Sequence, residues 1–294
     1  MRPLLVCGTA NVETVFRLGG EELPTAGGVF PDALSLNVSG VGVNLALGLR
    51  RLGSPVNLLT LAADDPAGEL VRARLGGIET RFVPTRVTPQ TLALVRPDGT
   101  HTFYRNPGAT ADAPAPITEF LEMLPGCPAA LLTNVGWTRE LLPLARRAGV
   151  PILTDVQSIA GLDNPYDAPY FAAADVLLLS AEHLSDPAAL MRGLLNRSPA
   201  RLVMAGLGEA GALLLERAVD GFHHQPAFPV QAVHRGGAGD ALAAAFAHFS
   251  FTRGRSAREA LRLACAAAAL KLRGGGSGTG HASEEEVLEL ANRR

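Results

Sequence analysis

Short apolar runs alternate with longer segments of helical periodicity along most of the chain. Six of these runs are mostly apolar at both odd and even positions, as in strands that are buried on both faces of a parallel sheet: Leu4–Cys7, Val56–Leu61, Ala129–Leu132, Pro151–Thr154, Val176–Leu179 and Leu202–Ala205. Helical spacing lies between them, in Gly42–Leu52, Ala67–Leu75, Arg139–Ala148 and Pro187–Asn196. This alternation predicts an α/β fold with a doubly wound, mostly parallel sheet and helices on both faces.

Two stretches, residues 13–38 and 89–106, break this alternation. In the second, Thr91–Val95 and His101–Tyr104 flank the turn sequence Arg96-Pro97-Asp98-Gly99, which predicts a hairpin. We expect the two stretches to pair as a small antiparallel sheet that forms a β lid. Residues 1–12, 39–88 and 107–294 would then form the main α/β domain.

The last third of the chain has the periodicity of helices. The predicted helices are Asp240–Phe251, Ala257–Arg273 and Ser283–Asn292. Ser283 is followed three residues later by Glu286, which is the sequence signature of a capping box at a helix N-terminus.

Composition and charge indicate an ordinary globular protein. Of 294 residues, 47% are hydrophobic and 18% are charged, and the formal net charge is -2. No block of like charges stands out, so neither nucleic acid nor a membrane surface is an expected partner. The three cysteines form no C-x-x-C pair, and the N-terminal apolar run is too short for a signal peptide or a membrane span. These features predict free thiols and a cytoplasmic location.

A glycine-rich turn late in the chain carries the strongest chemical signal. Gly236-Gly237-Ala238-Gly239 separates an extended segment from an alanine-rich helix and is followed by Asp240. The first N–H groups of a helix have no internal partner, and together with the helix dipole they bind anions such as a phosphoryl group. A carboxylate in this position can accept the proton of an attacking hydroxyl. The residues alone leave open that this is only a tight turn with an acid in the first helical turn.

Two motifs resemble those of the ribokinase-like (PfkB) carbohydrate kinases. Gly237-Ala238-Gly239-Asp240 is similar to the end of the family signature D-T-x-G-A-G-D, and Ser39–Ala46, followed by Leu52-Gly53, is similar to G-G-x-x-x-N-x-A and its terminal L-G. The resemblance implies the ribokinase-like fold and ATP-dependent phosphoryl transfer to a hydroxyl of a small sugar-like acceptor, with Mg²⁺. It implies that Asp240 is the general base and that the backbone of Gly237, Ala238 and Gly239 is the anion hole.

The resemblance also implies the binding residues. For the acceptor these are Asn11, Glu13, Gly40 and Asn44, to which we add Asn134 because it follows a predicted strand at the carboxyl edge of the sheet, where open α/β sheets bind ligands. For the nucleotide they are Ser180, Gly206, Gly208, Gly211, Gly275 and Ser277. Glu182 would hold the metal through water. Trp137, Tyr104 and Arg105 are further candidates for the acceptor pocket, and Asp155 for support of the nucleotide site.

Several positions depart from the family pattern. His234-Arg235-Gly236 stands where many relatives have Asp-Thr-x, residues that help to hold a monovalent cation, so potassium activation is in question. We hypothesise that Arg235 replaces part of that charge, at the phosphates or in the cation site. Ser180 replaces an asparagine, Glu182 is displaced by one place so that His183 stands in the expected position, and Gly206 replaces a threonine.

The sequence leaves three interpretations of the function open. The first is a sugar kinase, the second is a nucleoside kinase, and the third is a degenerate member that binds sugar or nucleotide without turnover. A nucleotide-dependent oxidoreductase is disfavoured because Gly8-Thr9-Ala10-Asn11 lacks the glycines of a dinucleotide fingerprint. A homodimer through the lid is a further expectation from the family.

Overall fold

The computed structural model describes residues 1–20, 33–108, 110, 112–159, 161–219 and 221–293. The strands are β1 (Leu4–Cys7), β2 (Asn11–Arg17), β3 (Ala33–Ser39), β4 (Val56–Ala62), β5 (Glu79–Pro84), β6 (Gln90–Val95), β7 (His101–Asn106), β8 (Ala130–Leu132), β9 (Ile152–Ser158), β10 (Val176–Ser180), β11 (Leu202–Gly206), β12 (Ala212–Glu216) and β13 (Phe222–Gln225). The helices are α1 (Val41–Arg51), α2 (Pro66–Arg74), α3 (Ile117–Met123), α4 (Leu142–Arg147), α5 (Ala168–Ala173), α6 (Pro187–Arg197), α7 (Ala238–Ala247), α8 (Ala257–Lys271) and α9 (Glu284–Asn292). Short 3₁₀ turns lie at Gly136–Leu141 and Gly208–Ala210, and a π-helical turn at His248–Thr252.

The main sheet has nine strands among the described residues, in the order β13-β12-β11-β10-β9-β8-β1-β4-β5. All pairs from β11 to β5 are parallel, and the two strands at the other edge, β12 and β13, are antiparallel. The six predicted strands all belong to the parallel part. The prediction of a doubly wound, mostly parallel sheet is confirmed.

Two hydrophobic cores lie on opposite faces of this sheet. In β1, Leu4 and Val6 face one core while Leu5 and Cys7 face the other, and all four are fully buried. Helices α1, α2, α7, α8 and α9 cover the first face, and α3, α4, α5 and α6 cover the second. This explains why the strands are continuous apolar runs in the sequence: side chains at odd positions pack into one core and side chains at even positions pack into the other.

The second sheet has the order β3-β2-β6-β7 and forms the predicted small β-sheet lid. The hairpin of β6 and β7 is confirmed, but β2 and β6 are parallel and not antiparallel as expected. The reason is topological: β2 follows β1 and β6 follows β5, both of which leave the parallel sheet at its carboxyl edge, so the next strands start from the same side. Residues 21–32 of the predicted lid lie outside the described residues.

Two predicted helices are interrupted. The segment Arg139–Ala148 begins as the 3₁₀ turn and becomes helical only at α4, whose first turn contains Pro143. Proline has no N–H to donate and is favoured in the first turn of a helix, so a new helix begins there. The segment Asp240–Phe251 ends its regular helix at Ala247 and continues as the π-helical turn.

The cap of α9 and the state of the cysteines also agree with the sequence predictions. Ser283 and Glu286 form the predicted capping box, with both hydrogen bonds present. The three cysteines are free and buried, as predicted. Among the residues that the structure describes, none of the helices combines the length and the apolar character needed to cross a membrane.

Candidate active site

A cavity of about 790 Å³ lies between the carboxyl edge of the main sheet and the second sheet. Its walls come from the strand ends of β1, β8, β9 and β10, from the start of α1 and α7, and from the lid strands. Twelve of the predicted site residues line it: Asn11, Glu13, Gly40, Asn44, Arg105, Asn134, Asp155, Ser180, Gly237, Gly239, Asp240 and Ser277. The cavity therefore gathers segments that are far apart in the sequence.

Asp240 lies in the first turn of α7 and faces this cavity. The side-chain amide of Asn44, at the start of α1, donates a hydrogen bond of 2.6 Å to Asp240 Oδ2. Burial raises the pKa of Asp240 to about 6, while the Asn44 hydrogen bond and the charge of Lys271 oppose this rise and Glu13 adds to it. A carboxylate with this pKa is mostly ionised at neutral pH and can accept a proton there.

The turn before Asp240 packs closely against the loop after α8, and this packing requires a glycine at residue 237. Gly237 is the N-cap of α7 and has a φ of +80°, and a Cβ at this residue would lie 2.5 Å from the carbonyl oxygen of Ser277. Gly239 faces the cavity. The N–H groups of the first turn have no intrahelical acceptor, so the turn and the helix dipole form a cradle for an anion such as a phosphoryl group.

Glu13 and Ser277 contact each other directly. The carboxylate of Glu13 accepts hydrogen bonds from the backbone N–H of Ser277 at 2.9 Å and from its hydroxyl at 2.6 Å, and Glu13 is only 2% exposed. Ser277 was predicted at the nucleotide and Glu13 at the acceptor. The contact joins lid strand β2 to the loop that follows α8.

The remaining glycines predicted to bind the nucleotide lie outside this cavity. Gly206 ends β11 and pairs in register with Ser180 at the end of β10. Gly208 and Gly211 have positive φ angles in the adjoining turn, where a Cβ at Gly208 would lie 2.6 Å from Glu182 Oε1. Gly275 lies in the loop after α8, and apart from its two chain neighbours none of the described residues has an atom within 4 Å of where its Cβ would be.

A comparison with known proteins identifies the family. The model of the pfkB family carbohydrate kinases matches residues 171–284. An acarbose 7(IV)-phosphotransferase from an Actinoplanes strain is 30% identical over 255 residues, which cover 83% of each chain. The chain belongs to the pfkB family of carbohydrate kinases.

Solved structures agree on the fold. A microbiome-derived acarbose kinase superposes with a TM-score of 0.91 at 23% identity, with 99% of both chains covered. Arabidopsis thaliana ribokinase, solved with ribose and ATP, has a TM-score of 0.84 at 24% identity and full coverage of both chains. As a member of this family, the protein is a carbohydrate kinase that phosphorylates a hydroxyl group.

One charged residue of this pfkB kinase, Arg235, differs from part of the sequence hypothesis. Arg235 donates a hydrogen bond of 3.0 Å to Glu209 and lies 3.9 Å from Glu182, with 44% of its side chain exposed. It is thus paired at the surface and does not fill a cation site, so that part of the hypothesis is wrong. Among the described residues, no group of three or more acidic, histidine or cysteine side chains could hold a metal ion.

Sequence reasoning gave Asp155 only a supporting role and missed three other residues at this site. Burial raises the pKa of Asp155 to about 7, the N–H of Gln157 opposes this, and Asp240 adds to it. Gln157 has a φ of +59° and lines the cavity, as does Arg139, whose guanidinium lies 3.7 Å over the ring of Tyr166. Lys271 lies fully buried behind the glycine turn. Of these three residues, only Lys271 could have been found from the sequence. It follows Ala267 by four residues, and this spacing places it on the buried face of α8.

Proposed function

We propose that the protein transfers the γ-phosphoryl group of ATP to a hydroxyl of a small sugar-like acceptor, with Asp240 as the general base. The observation that carries this proposal is the cavity-facing carboxylate of Asp240, held by Asn44 at 2.6 Å beside the N-terminus of α7. Base and anion cradle are adjacent in the chain, so an acceptor hydroxyl next to Asp240 also lies next to the cradle.

The residues of the site divide the chemistry between them. ATP supplies the phosphoryl group, and the backbone N–H groups of Gly237, Ala238 and Gly239 stabilise the charge that develops on its oxygens. Asp240 accepts the proton of the acceptor hydroxyl as that oxygen attacks. Asn44 is assigned a positioning role, since it holds the carboxylate of Asp240 in one orientation and favours its ionised form.

The acceptor end of the cavity has polar groups that suit hydroxyls. Asn11 and Asn134 line it, and each has a buried side-chain oxygen that finds no hydrogen-bond partner among the described residues. Burying an unpaired acceptor is costly, so a bound hydroxyl that donates to either oxygen would be favourable. These groups serve a sugar ring or the ribose of a nucleoside equally well, and a nucleoside kinase remains the second candidate.

Arg105 and Arg139 add two cations to the same end of the cavity. In the part of the chain that the structure describes, neither has a carboxylate within 4 Å. Sugar acids and sugar phosphates therefore belong in any acceptor panel beside neutral sugars and nucleosides.

The nucleotide site and the metal complete the proposal. We assign the nucleotide to the ends of β10 and β11 with the loop after α8, through Ser180, Gly206, Gly208, Gly211 and Gly275. Mg²⁺ typically uses one or two carboxylates together with substrate phosphates, and Glu182 and Asp155 are the carboxylates near this edge. Such a site needs no protein cluster of metal ligands.

The outer face of the lid supports the expected homodimer. Leu36, Thr14, Leu92 and Tyr104 share one row across the four strands, and Leu36 and Tyr104 are 61% and 56% exposed. A second copy of the lid would cover this apolar row, so sedimentation should give a dimer that the substitution L36E turns into a monomer.

The test of the proposed function is release of ADP from Mg-ATP with a panel of neutral sugars, sugar acids, sugar phosphates and nucleosides. D240N should lower kcat about 10²–10⁴-fold, the usual contribution of a general base. The matched control is D163N, the same chemical change at a 92% exposed carboxylate, and its kcat should equal that of the wild type. Equal activity of D240N and wild type would remove Asp240 as the base. If no acceptor is phosphorylated but a sugar or ATP raises the Tm, the protein is better described as a degenerate member that binds these ligands without turnover.

A further inference from the structure

Lys271 is the only lysine in the chain, which has many arginines. It is the last residue of α8 and is 0% exposed. Lysine is almost never fully buried unless its charge is compensated, because removing an ammonium from water is costly. A buried single lysine in an otherwise arginine-only chain indicates a position that needs a compact ammonium and not a planar guanidinium.

The ammonium joins the two loops that form the back of the anion cradle. Lys271 Nζ donates hydrogen bonds of 3.1 Å to the carbonyl oxygens of Gly236 and of Gly276. Gly236 precedes the N-cap of α7, and Gly276 lies in the loop after α8. The lysine stem packs directly behind the cradle, since a Cβ at Gly237 would lie 3.2 Å from Lys271 Cε.

The charges around Lys271 explain how it remains ionised. Asp240 and Glu13 are the acidic groups that favour its charged form. Burial lowers the pKa of Lys271 to about 8 in spite of them. The ammonium is therefore mostly protonated at neutral pH, and its charge partly offsets two buried carboxylates of the site.

Carbonyl oxygens from separate loops that converge on one charge are the ligands that a monovalent cation would use. The family resemblance implies such a cation beside the anion hole, but the residues here do not fit it. His234 replaces the aspartate of the family pattern, and its Nδ1 accepts a hydrogen bond from the N–H of Gly236. The two carbonyls already accept from Lys271 Nζ.

We propose that the ammonium of Lys271 is a built-in cation that fixes the anion cradle and makes phosphoryl transfer independent of added monovalent ions. This inference rests on the proposed function. Lys271 acts as a positioning residue: it holds the loops of Gly236 and Gly276 at a fixed separation and places a positive charge behind the N–H groups that receive the phosphoryl oxygens.

The kinetic test compares the wild type, K271M and K271A in tetramethylammonium buffer, with and without KCl or NH₄Cl. The wild-type kcat should change by less than twofold with either salt. K271M keeps the side-chain volume without the charge, and its kcat should fall about 100-fold with little change in the acceptor KM and without recovery in salt. K271A leaves space against the two carbonyls, and K⁺ or NH₄⁺ should restore its kcat at least tenfold.

Three results would overturn the proposal: severalfold activation of the wild type by K⁺, wild-type kcat in K271M, or a K271A protein that stays inactive with every ion. A second measurement covers variants that fail to fold. With ¹⁵N-lysine labelling the wild type has a single lysine side-chain signal, which should be that of an ammonium at pH 7 and unchanged by 100 mM KCl, whereas a neutral amine contradicts the proposal. This measurement needs no turnover, so a failure of the proposed function and a failure of the Lys271 proposal give different results.

Discussion

The hydrogen bond from Asn44 to Asp240 gives a sharp prediction about pH dependence. Asn44→Leu keeps the approximate size of the side chain and removes the donor that lies 2.6 Å from Asp240 Oδ2. The bond favours the ionised carboxylate, whose pKa burial has already raised to about 6. Without the bond, the pKa of Asp240 should rise further.

The size of this rise follows from the strength of the bond. A hydrogen bond to a charged group contributes about 1.5–3 kcal/mol, and one pKa unit corresponds to about 1.4 kcal/mol, so the pKa should rise by about 1–2 units. The ionised fraction of Asp240 at pH 7 should then fall from about 90% to about 10–50%. The base works only when ionised, so kcat/KM at pH 7 should fall about twofold to tenfold, and the difference should shrink above about pH 9.

The assay is the pH profile of kcat/KM for the wild type, N44L and a control. Asn11→Ala is the control because Asn11 lines the same cavity but donates to Thr91 and not to Asp240. N11A should raise the acceptor KM and leave the acid limb of the profile near pH 6. The reasoning is refuted if the acid limb of N44L stays where the wild type has it, or if both variants move it equally.

Three further substitutions test the loops. G237A should lower the free energy of unfolding by more than G221A does, and it should also abolish most turnover. Both glycines have positive φ angles, which cost alanine about 1–2 kcal/mol. Of the two, Gly237 is the one at which the new Cβ would collide with a backbone atom. Urea unfolding and kcat measure this, and equal effects would contradict it. S277A removes one of the two hydrogen bonds to buried Glu13 and should cost about 1–3 kcal/mol in the same unfolding assay, whereas an unchanged midpoint would show that the bond contributes nothing. G275A adds a methyl group at a point more than 4 Å from every described residue except its chain neighbours, so stability should not change while the KM for ATP rises severalfold. An unchanged KM would exclude Gly275 from the nucleotide site.

The parallel sheet could be predicted well from the sequence because burial on both faces leaves a direct mark. A strand such as Leu4–Cys7 must be apolar at every position, and the structure places it at the bounds that the pattern predicts. Interruptions were harder to predict, since the helical periodicity of Arg139–Ala148 runs without a break from the 3₁₀ turn into α4. Apolar spacing reports which face is buried and not which hydrogen bonds the backbone makes.

The partners within the site could not be predicted. The glycine turn and Asp240 form a local motif, but Asn44 and Asp240 are 196 residues apart, and Glu13 and Ser277 are 264 apart. The sequence indicates that each is polar in an apolar context and does not indicate which group each meets. For this reason Glu13 and Ser277 were predicted to bind different ligands. The positive charge beside the cradle was predicted at Arg235, whereas we assign it to Lys271.

These partners form one hydrogen-bonded connection from the lid to the anion cradle. Glu13, on lid strand β2, is bound by Ser277; the preceding carbonyl, of Gly276, is bound by Lys271, and the same ammonium binds the carbonyl of Gly236 at the cradle. A displacement of β2 would therefore pull on the loop that sets the cradle, or would leave a buried carboxylate without its donors. Either change is costly in a buried, low-dielectric site. The lid strand that reaches the acceptor is thus mechanically tied to the group that receives the phosphoryl charge, which gives acceptor binding a physical route to the geometry of transfer.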